Sequence, residues 1–163
     1  MSKINISLKT KTNKKAVKAI EEMEEGHVKV GWVKGDKYPD KDMYVAEVAY
    51  LNENGHVIKR NGKEIGYVPP RPFLAITMAD NGDRWRFIWK KLYKQVVEGK
   101  IPLEEALKKL GETVRASIKD TIWSNVPPPN APSTIKHKKG RNTTLIDTGL
   151  MIKTVNYVYK VGK

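Results

Sequence analysis

Pro102-Leu103-Glu104-Glu105-Ala106-Leu107-Lys108-Lys109-Leu110-Gly111-Glu112-Thr113-Val114-Arg115-Ala116-Ser117-Ile118-Lys119-Asp120-Thr121-Ile122 is the stretch that decides the fold. Leu103, Ala106, Leu107, Leu110, Val114, Ile118 and Ile122 recur every three or four residues, which aligns them as one stripe of an α-helix. Pro102 suits the opening of that helix, since its fixed φ and missing N–H cost nothing there. Glu104 and Glu105 sit in the first turn, where the positive end of the helix dipole stabilises them. Such a helix needs other elements to cover its apolar stripe.

Two further helices offer themselves. Trp85, Ile88, Trp89, Leu92 and Val96 recur at helical spacing. The sequence predicts a helix that opens around Pro72, breaks at Asp80-Asn81-Gly82-Asp83, resumes through Val97 and ends at Gly99. Lys and Arg flank those tryptophans, which invites a stacking surface for single-stranded nucleic acid. Trp85, Trp89 and Leu92 share one face, however, and a shared face means packing. Near the N-terminus Asn13 is placed to cap a helix to about Glu25, with Gly26 as its stop and Ala16, Val17, Ile20 and Met23 as its stripe. Lys14, Lys15 and Lys18 at its start and Glu21, Glu22, Glu24 and Glu25 at its end oppose the helix dipole.

Strand signals lie between and after the helices. Val28, Val30 and Trp32 alternate with Lys29, Gly31 and Val33. Val57-Ile58 and Ile65 to Tyr67 flank Asn61-Gly62, a favoured hairpin turn. Val155 to Val161 reads as a β-like tail. A polar loop from Lys34 to Lys41 leads to Asp42, predicted to cap a short helix from Met43 to about Asn54 that Gly55 closes. Val68-Pro69-Pro70-Arg71-Pro72-Phe73 is extended. The expected class is α+β: a small, mostly antiparallel sheet packed against two or three helices, with extended loops or arms. Its 163 residues form one domain, 1–163, with a basic segment 1–12 and a loop 127–144 expected to be extended or flexible.

Composition narrows the function. With 39% hydrophobic and 30% charged residues the chain reads as globular. No apolar run reaches the roughly 18 residues of a membrane span, and no signal peptide opens the chain, so no membrane partner is expected. The absence of cysteine excludes disulfides and thiol catalysis. The net charge of +13 is concentrated: residues 1–20 carry +6, residues 134–163 carry +6, and the residues between are nearly neutral at +1. Two basic flanks suit an anionic neighbour, either nucleic acid or an acidic protein surface.

Leu145-Ile146-Asp147-Thr148-Gly149-Leu150-Met151 invites an enzyme reading, because an Asp-Thr-Gly loop supplies one carboxylate of an aspartic-protease dyad. Leu150 stands where Ala or Ser follows in the retroviral type. Only 14 residues follow Gly149, and the chain has no second Asp-Thr/Ser-Gly. The alternative is a turn capped by Asp147. His27, His56 and His137 have no metal-ligand spacing, the phosphate-loop pattern is missing, and Glu104 and Glu105 point in different directions on their helix. No catalytic residues, metal ligands or cofactors are expected.

Taken in order, Val28-Lys29-Val30-Gly31-Trp32, Val45-Ala46-Glu47-Val48-Ala49-Tyr50-Leu51-Asn52-Glu53-Asn54-Gly55, Val68-Pro69-Pro70-Arg71-Pro72-Phe73-Leu74, the Leu107 to Ile122 helix, Pro129-Asn130-Ala131-Pro132-Ser133-Thr134 and Leu145 to Met151 form a pattern. It resembles the small neck and tail-completion proteins, also labelled minor tail components, of tailed bacteriophages, over residues 28 to 161. The resemblance implies a non-enzymatic virion protein, assembled in the host cytoplasm, that forms a ring joining head to tail, with six copies as the expected number. Implied neighbours are head-completion or connector proteins on one side and tail-terminator or tail-tube proteins on the other, with non-specific contact to packaged DNA.

On that reading Pro70, Arg71, Pro72, Phe73, Asn130, Pro132, Thr134, Asp147, Thr148 and Gly149 contact a neighbouring subunit or ring. Lys136, Lys138, Lys139 and Arg141 face DNA or an acidic partner. Proline-bound segments lose little backbone entropy when fixed against a neighbour, and Arg71 between two prolines suits a bidentate bond to a carboxylate. The competing expectation is a basic nucleic-acid-binding protein that uses its Lys-rich terminal segments.

Overall fold

The computed structural model describes residues 14–40, 42–138 and 142–162. Ten elements follow in the order α1 (Lys14–Glu25), β1 (His27–Gly31), α2 (Val45–Asn54), β2 (His56–Arg60), β3 (Lys63–Val68), α3 (Phe73–Val97), α4 (Leu103–Trp123), α5 (Pro132–His137), α6 (Leu150–Thr154) and β4 (Asn156–Lys160). The class is α+β. The strands form two antiparallel pairs, β1 with β4 and β2 with β3, instead of one sheet. The expected cap Asn13 and the basic segment 1–12 lie outside the described residues.

The predicted stripe organises the subunit. Leu103, Ala106 and Leu107 at one end of α4 join Leu92 and Val96 of α3 in one buried cluster, against which Ala19 and Met23 of α1 pack. Ile118 and Ile122 at its other end join Phe73, Val45, Ala49, Val126, Met151 and Val155 in a second. Pairing the start of α3 with the end of α4 makes the two helices an antiparallel pair. Full burial of each such aliphatic side chain stabilises the fold by about 1.5–3 kcal/mol. Leu110 and Val114 are only half-buried, because the stripe passes from one cluster to the other at that point.

The expected break at Asp80–Asp83 does not occur; α3 runs through it. Gly82 costs a helix interior about 1 kcal/mol against Ala, which packing against α4 outweighs. Asn81 lies in a polar seam between the clusters: its amide donates to the Thr77 carbonyl at 3.1 Å, and Ser117 Oγ donates to its Oδ1 at 3.3 Å. Trp85 Nε1 donates to the same Ser117 Oγ at 3.3 Å. The tryptophan is therefore held inside the helix pair.

Two helix starts also differ from expectation. α2 begins after Tyr44, not Asp42, because Glu47 Oε2 accepts the Tyr44 N–H at 2.7 Å while Asp42 is taken by Lys37 at 2.6 Å. Pro72 caps α3 from just outside it, and the free N–H groups of Leu74 and Ala75 donate to the Glu53 carboxylate of α2 at 2.8 and 3.1 Å. A charge from another element thus does what a local cap would do.

The two strand pairs have opposite fates. β1–β4 lies against α4. Val28 faces Tyr159 and Val30 faces Tyr157 across it, and these side chains join the two clusters or cover α4. β2–β3 is the expected hairpin, with Asn61 and Gly62 both at positive φ, as a tight mirror-image turn requires. Its side chains stand in solvent: Tyr67 is 61% exposed, Ile65 59%, and Val57 and Ile58 42% each.

Candidate functional site

The expected interface blocks meet beside the hairpin. Arg71, Asn130, Thr134, Lys138, Asp147, Thr148 and Gly149 line one cleft of about 640 Å³, whose opposite wall is the hairpin itself. Segments as far apart as residues 68 and 151 therefore share a surface. Pro70, Pro72, Pro132 and Lys136 are exposed but lie outside the cleft lining. Lys139 and Arg141 lie outside the described residues.

Arg71 is the centre of the arrangement, in a role other than the expected one. It is 6% exposed, and its guanidinium grips backbone carbonyls, not a carboxylate: Nε donates to Pro128 O at 2.9 Å and Nη2 to Pro129 O at 3.2 Å. The run Pro127-Pro128-Pro129 supplies no N–H donors along this stretch, so the carbonyls of Pro128 and Pro129 are met by the Arg71 cation instead. Burial lowers the Arg71 pKa from its ordinary value. Phe73 is likewise internal. It has no exposed surface and meets Trp32 edge-on, with ring centroids 5.9 Å apart. A side chain with no accessible surface cannot touch a neighbouring subunit, so Phe73 belongs to the core.

Lys138 repeats the device. Its ammonium donates to the carbonyls of Thr143 and Ile146, the latter at 2.5 Å, and so closes the loop that carries Asp147. It is half-buried and committed to these bonds, which removes it from the residues expected to face DNA. Burial lowers its pKa; the Asp147 carboxylate opposes that shift and the Arg71 charge adds to it. The Tyr38 phenol is pushed up by burial and then by Asp147. Asp147 thus sits exposed near Tyr38 and Lys138, as a local counter-charge to the lysine. It does not cap α6; the first free N–H of that helix, Leu150, donates to Thr148 Oγ1 at 3.3 Å.

The segment after Pro129 is also more regular than expected. Pro132 occupies the first turn of α5, where a ring without an N–H fits, so residues 132–137 are helical within the loop 127–144. Asn130 Nδ2 donates to Asn142 Oδ1 at 3.1 Å, tying the two ends of that loop together.

Residues that carry this scaffold escaped sequence reading. Thr144 is buried; its hydroxyl donates to Val126 O at 2.7 Å, and its N–H donates to Asn125 Oδ1 at 2.8 Å. Asn125 sits at φ 62°, a conformation asparagine tolerates better than most residues. Its position just past the end of α4 is the signal that was available. Trp32 Nε1 donates to Met151 O at 2.8 Å, fixing α6 against β1, and nothing local in the sequence announces that bond. Leu145 at φ 63° is a backbone outlier for a branched residue, held there by the Lys138 and Thr144 bonds around it.

Among the described residues no group of His, Cys, Asp and Glu could hold a metal ion, and no helix is long and apolar enough to cross a membrane. Comparison with protein-family models, with curated proteins and with solved structures returned no match.

Proposed function

We propose that this chain is a structural, non-enzymatic virion protein of a tailed bacteriophage, forming a ring at the head–tail junction. In that role six copies surround the DNA path, between a connector or head-completion ring and the tail-terminator or tail-tube proteins. One observation carries the reading. The blocks on which the neck-protein resemblance rests, Val68–Phe73, Pro129–Thr134 and Leu145–Met151, are clamped into one surface by cation–carbonyl bonds, beside a bare apolar hairpin. A rigid platform next to uncovered apolar strands suits a repeated subunit contact, since little conformational entropy remains to be lost on assembly.

The nucleic-acid reading loses part of its footing. Lys138 is engaged within the subunit, and the tryptophans of α3 are turned inward. Contact with packaged DNA through the remaining basic residues would be weak, non-specific and steeply dependent on salt.

The test is native mass spectrometry of the purified chain, with negative-stain electron microscopy of the same sample. The expected result is a closed ring with a central channel, and joining of separated heads and tails when the ring is added. A monomer that binds duplex DNA sequence-selectively and resists salt would contradict the proposal.

A further inference from the structure

α1 carries its charges against its own dipole. Glu24 and Glu25 stand in its last turn, where the negative end of a helix disfavours them, and no basic side chain accompanies them there. Ala19 and Met23 turn inward onto the cluster at the start of α4. Helical spacing places Val17, Ile20, Glu21 and Glu24 together on the other side, and all four are exposed. Lys18 meets Glu22 at 3.7 Å, whereas Glu21 and Glu24 form no ion pair among the described residues. The outer face of α1 is thus two bare aliphatic side chains beside two carboxylates.

The hairpin presents the converse. Partners across an antiparallel pair point to the same side. Val57 lies opposite Tyr67 and so shares its face, which alternation along β3 extends to Ile65 and Lys63. The register shift after Ile58 brings Arg60, opposite Lys63, onto that face too. All five residues are exposed. Lys59 reaches Glu64 at 4.0 Å, while Arg60 and Lys63 form no ion pair among the described residues.

We infer that the outer face of α1 in one copy docks on this face of the β2–β3 hairpin of the next copy. Val17 and Ile20 then meet Val57, Ile65 and Tyr67, and Glu21 and Glu24 meet Arg60 and Lys63. The inference rests on the ring reading and names the contact that joins neighbouring subunits. Charge selects the occupant: residues 17–25 carry −3 and residues 56–68 carry +2. The spacings agree as well, since Val17 to Glu24 along a helix and Val57 to Arg60 along a strand each span about 10 Å. A phosphate backbone would satisfy Arg60 and Lys63 but leave the three apolar side chains beside them in water. The chain's own α1 lies too far away. It packs beside Leu103 and Leu107, whereas the hairpin leads into Arg71, which reaches Pro128 beyond the other end of α4. Those ends are about 30 Å apart, at 1.5 Å per helical residue. Two different surfaces of one subunit are involved, and such a contact closes into a ring when the rotation allows.

Charge exchange tests this. Glu21→Lys/Glu24→Lys makes both surfaces basic, and Arg60→Glu/Lys63→Glu makes both acidic. Native mass spectrometry should find the unaltered chain assembled and each variant alone monomeric. Neither variant should lower the melting temperature, and the α1 variant should keep or raise it, because lysine suits the end of a helix. An equimolar mixture should assemble again with the two variants alternating, and a chain carrying all four reversals should assemble by itself. Raising salt from about 50 to 300 mM should reduce the assembled fraction of the unaltered chain several-fold by screening the attraction. Variants that assemble alone like the unaltered chain would overturn the inference and leave the ring reading standing. A mixture and a four-fold variant that both stay monomeric would overturn it as well, and an unaltered chain that is itself monomeric would remove both.

Discussion

The two strand pairs are made alike and used differently. Each is two-stranded and antiparallel with five or six residues per strand. β1–β4 is covered by α4, with Tyr157 so close to that helix that residue 111 has room only for glycine; a Cβ there would lie 2.6 Å from Tyr157 Cδ2. β2–β3 also carries valine, isoleucine and tyrosine, with a register shift between Ile58 and Lys59, yet leaves them in water. What separates the pairs is topology. β4 returns from the far end of the chain to lie against the core, whereas β2 and β3 are adjacent in sequence and project. One pair stabilises the subunit, and we propose that the other acts between subunits.

The largest expected effect comes from the core behind the covered pair. Ile122→Ala opens a cavity in the cluster that seats Val30 and Trp32 and should cost about 2–5 kcal/mol in chemical denaturation. Arg71→Ala removes the clamp just after β3 and leaves the carbonyls of Pro128 and Pro129 without that donor. A loss of about 1.5–3 kcal/mol is expected, with Arg71→Lys only partly restoring it, because an ammonium lacks the planar fork. Gly111→Ala should cost about 1–3 kcal/mol by pushing Tyr157 off α4.

Against these, Ile65→Ser and Tyr67→Ser in the bare pair should shift stability by no more than about 0.5 kcal/mol while weakening assembly. If they unfold the subunit as Ile122→Ala does, the hairpin is part of the core and the comparison fails. The smallest effect is a pH dependence at the clamp. Burial holds the Lys138 pKa below its unfolded value, so the unfolded chain binds more protons between the two values. Stability relative to Lys138→Gln should therefore rise as pH climbs through that window towards 10.5, as urea midpoints across alkaline pH would reveal.

Much of this organisation is legible in the sequence wherever a periodic pattern meets a local stop signal. The stripe from Leu103 to Ile122, the Asn61-Gly62 hairpin and the β-like tail all belong to that kind. Local reading fails where a distant partner decides. Asp80–Asp83 looks like a break until Ser117 meets Asn81, and Asp42 looks like a cap until Lys37 takes it. Arg71 looks like an outward hook because neither the return of Pro128 and Pro129 nor their lack of N–H donors can be placed without the fold. Phe73 is misread for the same reason: a proline-bound segment suggests an arm, but Trp32 and Ile122 draw its end inside. The cleft's members are thus readable as residues, while their division into scaffold and surface is not.

Amide hydrogen exchange on the same protein, assembled at high concentration and dissociated by dilution, separates the two strand pairs. Assembly should slow exchange across His56–Arg60 and Lys63–Val68 by at least tenfold and leave His27–Gly31 and Asn156–Lys160 unchanged. Equal protection of β2–β3 in both states, or a change confined to β1–β4, would contradict that.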